Sequence, residues 1–464
     1  MEVLSTSMLT ISNRLNVTLP TFATSVCLKH LGGLVGFTTL LPFSSFREKF
    51  YLKDAMLLLA SFGNFLTSFF FHQGTTSWGL TSLNLFLQGF FFSYFLYNVN
   101  RIAVPLLKSQ SLIFFNLQSF AYTLGGLIGA LLTNSLKSAN STRFKETHLM
   151  NREIALVNID QVYRITSYLH LSSCLCLTLM TIFNFFGGWD KLTSDQLVSD
   201  AQEQNEKKIS LNGPTSERKD SSTSMQRMLN FYELYKPSFH LVIFITLYFL
   251  PFFICEEILT KYMSVFFSQI GLNFTPNEPF IFMIFFWLAM VTGRFIACCI
   301  GNRDFMRILT IIFSVVLFAA TLSLNFAGLS SLHLILVAII VIFMHGFCQL
   351  AILNELAIFS AYNFYYLILI YLCRELAGLV QIYPMALLID SASIKLFFTP
   401  ITVLYGVAII VHCSFLHYSR KSFENLFLPF LRINCFEPSA FVLSVQFKRG
   451  DFNDIIGCLS QGSE

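Results

Sequence analysis

The residues of this sequence that could do chemistry are charged side chains set inside long apolar runs. Glu256 and Glu257 fall in the apolar stretch 239–267, with Lys261 one turn further on. A carboxylate at that depth is costly unless it faces a bundle interior or water, so it marks a binding or ion-coupling position. Glu257 is the first candidate to bind a solute or a coupling cation; the competing reading is a structural pair with Lys261, four residues away on the same face. Glu256 points about 100° away around the helix, and two adjacent carboxylates cannot both be buried and charged, so one is expected near a cavity mouth or neutral. Arg374 and Glu375 are neighbours that cannot face each other on a helix, so their partners are expected on other helices. Gly293-Arg294 joins a small residue that permits close helix approach to a guanidinium suited to gating or anchoring, with snorkelling to the interface as the alternative. Asn98, Asn100, Gln118, Gln349 and Asn354 suit either solute hydroxyls in an apolar cavity or helix–helix hydrogen bonds. Trp287 is a candidate platform for a solute ring or an interface anchor. The runs Phe69–Phe71 and Phe90–Phe92 read as packing or lipid-facing bulk.

Covalent chemistry has no such footing. There is no H-E-x-x-H, no G-x-S-x-G and no P-loop, which argues against an enzyme. The 11 cysteines lie mostly in apolar runs, where a thiol is a small hydrophobe, and form neither a disulfide framework nor a zinc site. A net charge of +4 without a Lys/Arg block excludes nucleic acid as a partner. No cofactor is expected beyond a coupling Na+ or H+.

The elements that must position these residues follow from composition. Of 464 residues, 55% are hydrophobic and 12% charged, and 54 are phenylalanine, against about 25% charged in soluble domains. The expected class is all-α, a polytopic membrane protein in contact with lipid. Eleven spans are expected, near 22–44, 53–72, 80–99, 111–134, 167–187, 239–267, 278–300, 306–327, 332–353, 361–389 and 398–416. The polar stretch between Trp189 and Pro237 divides five spans from six. The expected organisation is therefore an incomplete N-terminal bundle over 1–188, a linker over 189–237, a C-terminal bundle over 238–416 and a tail over 417–464. The sequons at Asn16, Asn140 and Asn273 fall on one side in this order, which marks it extracytoplasmic. Arg47, Lys49, Lys53, Arg101, Lys108, Arg303, Arg307, Arg420 and Lys421 fall on the other, with the linker and tail, as the positive-inside rule requires. The basic residues between Lys137 and Arg164 break that pattern in a connection that also carries acids.

An ordered set of short matches over residues 10–415 resembles major facilitator superfamily transporters, within them the sodium-dependent glucose transporter 1-like and major facilitator superfamily domain-containing 4-like branch. Residues 13–19 resemble that branch's loop after helix 1, and Leu31-Gly32-Gly33-Leu34-Val35-Gly36 its glycine-rich helix 2. On this frame the first bundle holds helices 2–6, about 11 of 12 in all. Gly89 and Asn100 match helix 4, with Ser93 for its second glycine and Leu96 for its Asp. Gly129-Ala130 resembles helix 5, and Cys255-Glu256-Glu257-Ile258 resembles the G-A-E-V of helix 7. Phe286-Trp287 and Gly293-Arg294 match helix 8, Leu353-Asn354-Glu355 stands where helix 10 has F-P-T, and Gly378 and Pro384 match helix 11. The resemblance implies a two-bundle secondary transporter of a small polar solute, a hexose by the nearest relatives, working by alternating access and coupled to sodium or protons. It implies a plasma-membrane or endomembrane location and leaves oligomeric state open. The alternative is a non-transporting pseudo-transporter or membrane scaffold that keeps the fold.

Overall fold

A computed structural model describes residues 3–40, 50–74, 77–107, 111–143, 153–157, 159–185, 239–269, 278–300, 303–326, 331–362, 364–391 and 396–414. The expected linker, the tail and Asn273 lie outside them.

Twelve helices are described where the sequence suggested eleven. The first half contains α1 (Val3–Arg14), α2 (Leu19–Leu40), α3 (Phe50–Gly74), α4 (Trp78–Leu107), α5 (Ser111–Ser135) and α6 (Ile159–Phe185). The second contains α7 (Phe239–Gln269), α8 (Glu278–Cys299), α9 (Arg303–Phe326), α10 (Ser331–Tyr362), α11 (Phe364–Asp390) and α12 (Phe398–Ser414). The added element is α1, in a stretch where no span was expected: Met8 and Ile11 share a buried face with Ser7 and Thr10. Its 12 residues extend about 18 Å, short of the roughly 30 Å of hydrocarbon. A turn with Asn16 at φ 53° leads into α2, whose start is capped by the Thr18 hydroxyl accepting from the Thr21 amide at 3.4 Å. The connection 137–157 is not all loop. It holds an antiparallel pair, β1 (Lys137–Arg143) and β2 (Glu153–Val157).

Seven of these helices, α4, α5, α6, α8, α9, α10 and α11, are long and apolar enough to cross a membrane, and the chain is a multi-pass membrane protein. In α3 and α12 the apolar stretches are shorter, Ala55–Phe71 and Phe398–Ser414. Charge interrupts the others: Lys29 in α2, and Glu256, Glu257 and Lys261 in α7. Large apolar side chains face outward at helical spacing, as with Ile308, Ile312 and Val315 on α9 and Ile281, Phe285 and Leu288 on α8. That is the surface of a helix that meets lipid.

The two halves are built alike. In the first, α4 packs on α2 and α3; in the second, α10 packs on α8 and α9. Across the seam α2 lies against α11, and α5 against α8, contacts that exchange when each helix is replaced by the one six places away. Glycines make the equivalent close approaches. A Cβ on Gly32 or Gly89 would strike the backbone of Phe86 or Lys29 between α2 and α4, and one on Gly293 or Gly346 the backbone of Phe343 or Met290 between α8 and α10. Helices in lipid associate through such small-residue contacts. By the same rule α1, against α2 and α5, is the short counterpart of α7, against α8 and α11.

Candidate functional site

A cavity of about 270 Å³ lies on the seam, lined from α4 and α5 on one side and from α7, α8, α10 and α11 on the other. It sits in the half of the molecule where α5 and α11 begin, since its residues there are Phe115 to Tyr122 and Ile370 to Arg374.

Its polar floor joins four helices. Arg294 of α8 is buried and pairs with the Glu256 carboxylate of α7 at 2.9 Å. Gln349 of α10 closes the triangle, its amide nitrogen donating to Glu256 and its oxygen accepting from Arg294. The other guanidinium nitrogen donates to the backbone oxygen and the hydroxyl of Ser119, both at 3.0 Å, on α5 of the opposite half. In hydrocarbon a charge persists only when so paired, and Arg294 is an anchor between halves rather than a snorkelling side chain. Gly293 makes the close approach to α10 beside it.

It is Glu256, not the favoured Glu257, that reaches the cavity. The 100° turn between neighbours on a helix sends Glu257 toward α2 and α11, into a second polar cluster. There His30 Nδ1 lies 2.8 Å from Glu375 of α11, and His30 Nε2 3.6 Å from Glu257. Lys261 Nζ is 4.0 Å from Glu257. These four residues are buried, and room for them comes from glycine: a Cβ on Gly33 would run into Glu375, and one on Gly378 into the His30 ring. Glu375 thus finds its partner across the seam. Arg374 turns instead into the cavity, its guanidinium 4.4 Å from the centre of the Tyr122 ring.

The other sequence candidates separate by depth. Gln118 lines the cavity and accepts from the Tyr371 hydroxyl at 3.2 Å. Asn100 stands behind it, donating to Tyr371 at 3.1 Å and to the Leu96 carbonyl at 2.7 Å. Asn98 is buried and donates to the Tyr94 carbonyl. Trp287 is fully buried, seated on Gly126 across the α5–α8 seam, and does not line the cavity. Asn354 lies in α10, with its side chain outside the described residues. Ser119, Tyr122 and Tyr371, and Phe92 from a run read as bulk, line the cavity although sequence reasoning did not select them. Nothing in one sequence separates them from other residues of apolar helices. Among the described residues no three His, Cys, Asp or Glu side chains are placed to hold a metal ion.

The architecture has a known counterpart. The structure matches that of a major facilitator superfamily transporter, FucP, crystallised in the outward conformation, with a TM-score of 0.50 at 13% identity, over 84% of this chain and 97% of that one. No protein-family model matches the sequence, and no curated protein matches it. The fold is thus a distant version of the major facilitator fold, in which two six-helix bundles enclose a central cavity.

Proposed function

We propose that this protein is a secondary transporter of a small polar solute, moved by alternating access, with the seam cavity as its solute site. One observation carries the reading: the cavity is walled by both halves, so relative motion of the halves would open it to either side. The matched structure is itself described as a transporter. The finer resemblance, to the sodium-dependent glucose transporter 1-like branch, points to a hexose and to coupling with sodium or protons. In this reading the two bundles 1–188 and 238–416 are the moving bodies, and Arg294 and Glu256 hold one end of the seam. Lipid is the constant partner, and the plasma membrane is the favoured location.

Glu257 is the proposed coupling residue, since it contacts both His30 of the other half and Lys261 of its own. The test is uptake into proteoliposomes across a pH and sodium series, comparing Glu257→Gln with Glu257→Gln/Lys261→Met, which leaves no unpaired cation. A coupling role predicts that both variants lose the ion dependence of uptake. Unchanged ion dependence in the double variant makes Glu257 structural. Folded protein that moves no solute would instead favour the scaffold alternative.

A further inference from the structure

We infer that the solute taken by this cavity is a small organic monoanion, an apolar body carrying one carboxylate, rather than a neutral polyol; the inference rests on the seam cavity being the solute site.

The first observation is which polar groups are already committed. Glu256, Arg294 and Gln349 bond to one another. Ser119 accepts from Arg294, and Gln118 from Tyr371. Among the described residues the Arg374 guanidinium has no hydrogen bond and no ion pair within 4 Å; it lies over the face of Tyr122, with Glu256, Glu257 and Glu375 acting on it from farther away. It is therefore the strong donor still open to a ligand, and a guanidinium binds a carboxylate through two parallel hydrogen bonds.

The second observation is the charge of the wall. Two guanidiniums and one carboxylate line the cavity, and Tyr122 lies between both cations, 4.4 Å from Arg374 and 5.6 Å from Arg294. Arg294 is answered by Glu256. Glu257 and Glu375, the carboxylates behind the wall, are shared with His30 and Lys261. Within the wall itself cations thus outnumber carboxylates, and although Glu256, Glu257 and Glu375 act on Arg374 from a distance, none of them bonds its guanidinium, so a ligand carboxylate is the complementary group there.

The third observation is the rest of the surface. Phe92, Phe95, Leu96, Phe115, Phe253 and Ile370 make most of the remaining wall. A hexose carries hydroxyls around its whole ring, and those facing these side chains would lose water without gaining a partner. An aliphatic or aromatic body would bury apolar area instead. The volume of about 270 Å³ suits a small molecule.

The test is ligand-dependent thermal stabilisation of the purified full chain in detergent. Its probes are benzoate and hexanoate, their neutral isosteres benzamide and hexanamide, and D-glucose. Expected is saturable stabilisation by at least one acid at a concentration about tenfold or more below its amide, the worth of a charged hydrogen-bond pair, and no glucose effect in that range. Arg374→Gln should bring acid and amide to parity while leaving the amide response in place, which also reports that the variant is folded. Arg374→Lys should keep part of the preference. Should Arg374→Gln not fold, the acid-to-amide ratio in the unaltered protein decides. Equal response to acid and amide, a stronger response to glucose, or no response to either acid overturns the inference. Selective binding of an acid without its uptake into proteoliposomes overturns the transport reading and leaves the anion site standing.

Discussion

The polar interior works through side chains that would be intolerable singly in a membrane. Glu256, Arg294 and Gln349 each leave costly unmet capacity if one is removed, because a buried ion loses a partner and has no water to replace it. Arg294→Met is therefore expected to lower stability by about 3–5 kcal/mol, the cost of breaking a buried pair from one side. The double variant Arg294→Met/Glu256→Gln should lose less than the sum of the two single losses. Thermal denaturation of all three variants in detergent, read as a double-mutant cycle, checks this, and additive losses would show that the pair has no coupling of its own. The neighbouring residue behaves differently although its chemistry is identical. Glu257 has contacts of 3.6 Å and 4.0 Å, longer than hydrogen bonds, and an oxygen without a hydrogen-bond partner among the described residues. Such under-satisfaction is tolerated where a group changes state, which is why the coupling proposal stays with Glu257, while Glu256 is held by Arg294 and Gln349 in the anchor at the cavity wall.

At the scale of elements, glycine decides which helices touch. The α2–α4 contact needs Gly32, Gly36 and Gly89, where a Cβ would meet opposing backbone, and α8–α10 needs Gly293 and Gly346. A backbone atom cannot turn aside as a side chain can, so Gly89→Val must push α2 and α4 apart. Its expected cost is about 1–3 kcal/mol, seen as a lower melting temperature in detergent. Gly125 provides the control, because nothing lies within 4 Å of its Cβ direction. Gly125→Val should leave the melting temperature nearly unchanged, and equal losses at both positions would refute the packing argument. The consequence for the site is direct. Drawing α2 onto α4 places His30 at the seam, and drawing α8 onto α10 places Arg294 beside Gln349.

For the whole molecule, the question is which end faces which side. Arg14 at the end of α1 pairs with Asp160 at the start of α6 at 2.7 Å, so the α1–α2 turn and the strand pair share one end. Asn16 is exposed in that turn, and Asn140 lies in β1. The cavity lies toward the opposite end, the one where α4 ends after Arg101 and α9 begins before Arg307. Expressed in a glycosylating cell, the protein should lose mass on glycosidase treatment, and Asn16→Gln with Asn140→Gln should reduce that shift, with Asn273 as the third acceptor. Protease cleavage of the 189–237 region from outside intact cells would reverse the orientation.

Composition alone determined that the chain is a polytopic helical membrane protein, because 12% charge cannot cover so much apolar surface in water. The spans and the cost of Glu256, Glu257, Arg294, Arg374 and Glu375 were legible because hydrocarbon accepts apolar runs and penalises charge, and Gly293 because a small residue permits close helix approach, whereas the glycines at 32, 33, 36 and 89 were read through the family resemblance. Tertiary structure decided the pairing. Whether Glu256 or Glu257 meets the cavity depends on how α7 is rotated against α2, α8 and α11, and hydrophobicity on all sides of α7 leaves that rotation unspecified. That Glu375 meets His30, 345 residues away, or that Trp287 is sealed in the α5–α8 seam rather than offered to a solute, follows from contacts between distant helices. No residue type or spacing encodes those contacts, because they arise only once both halves close on each other.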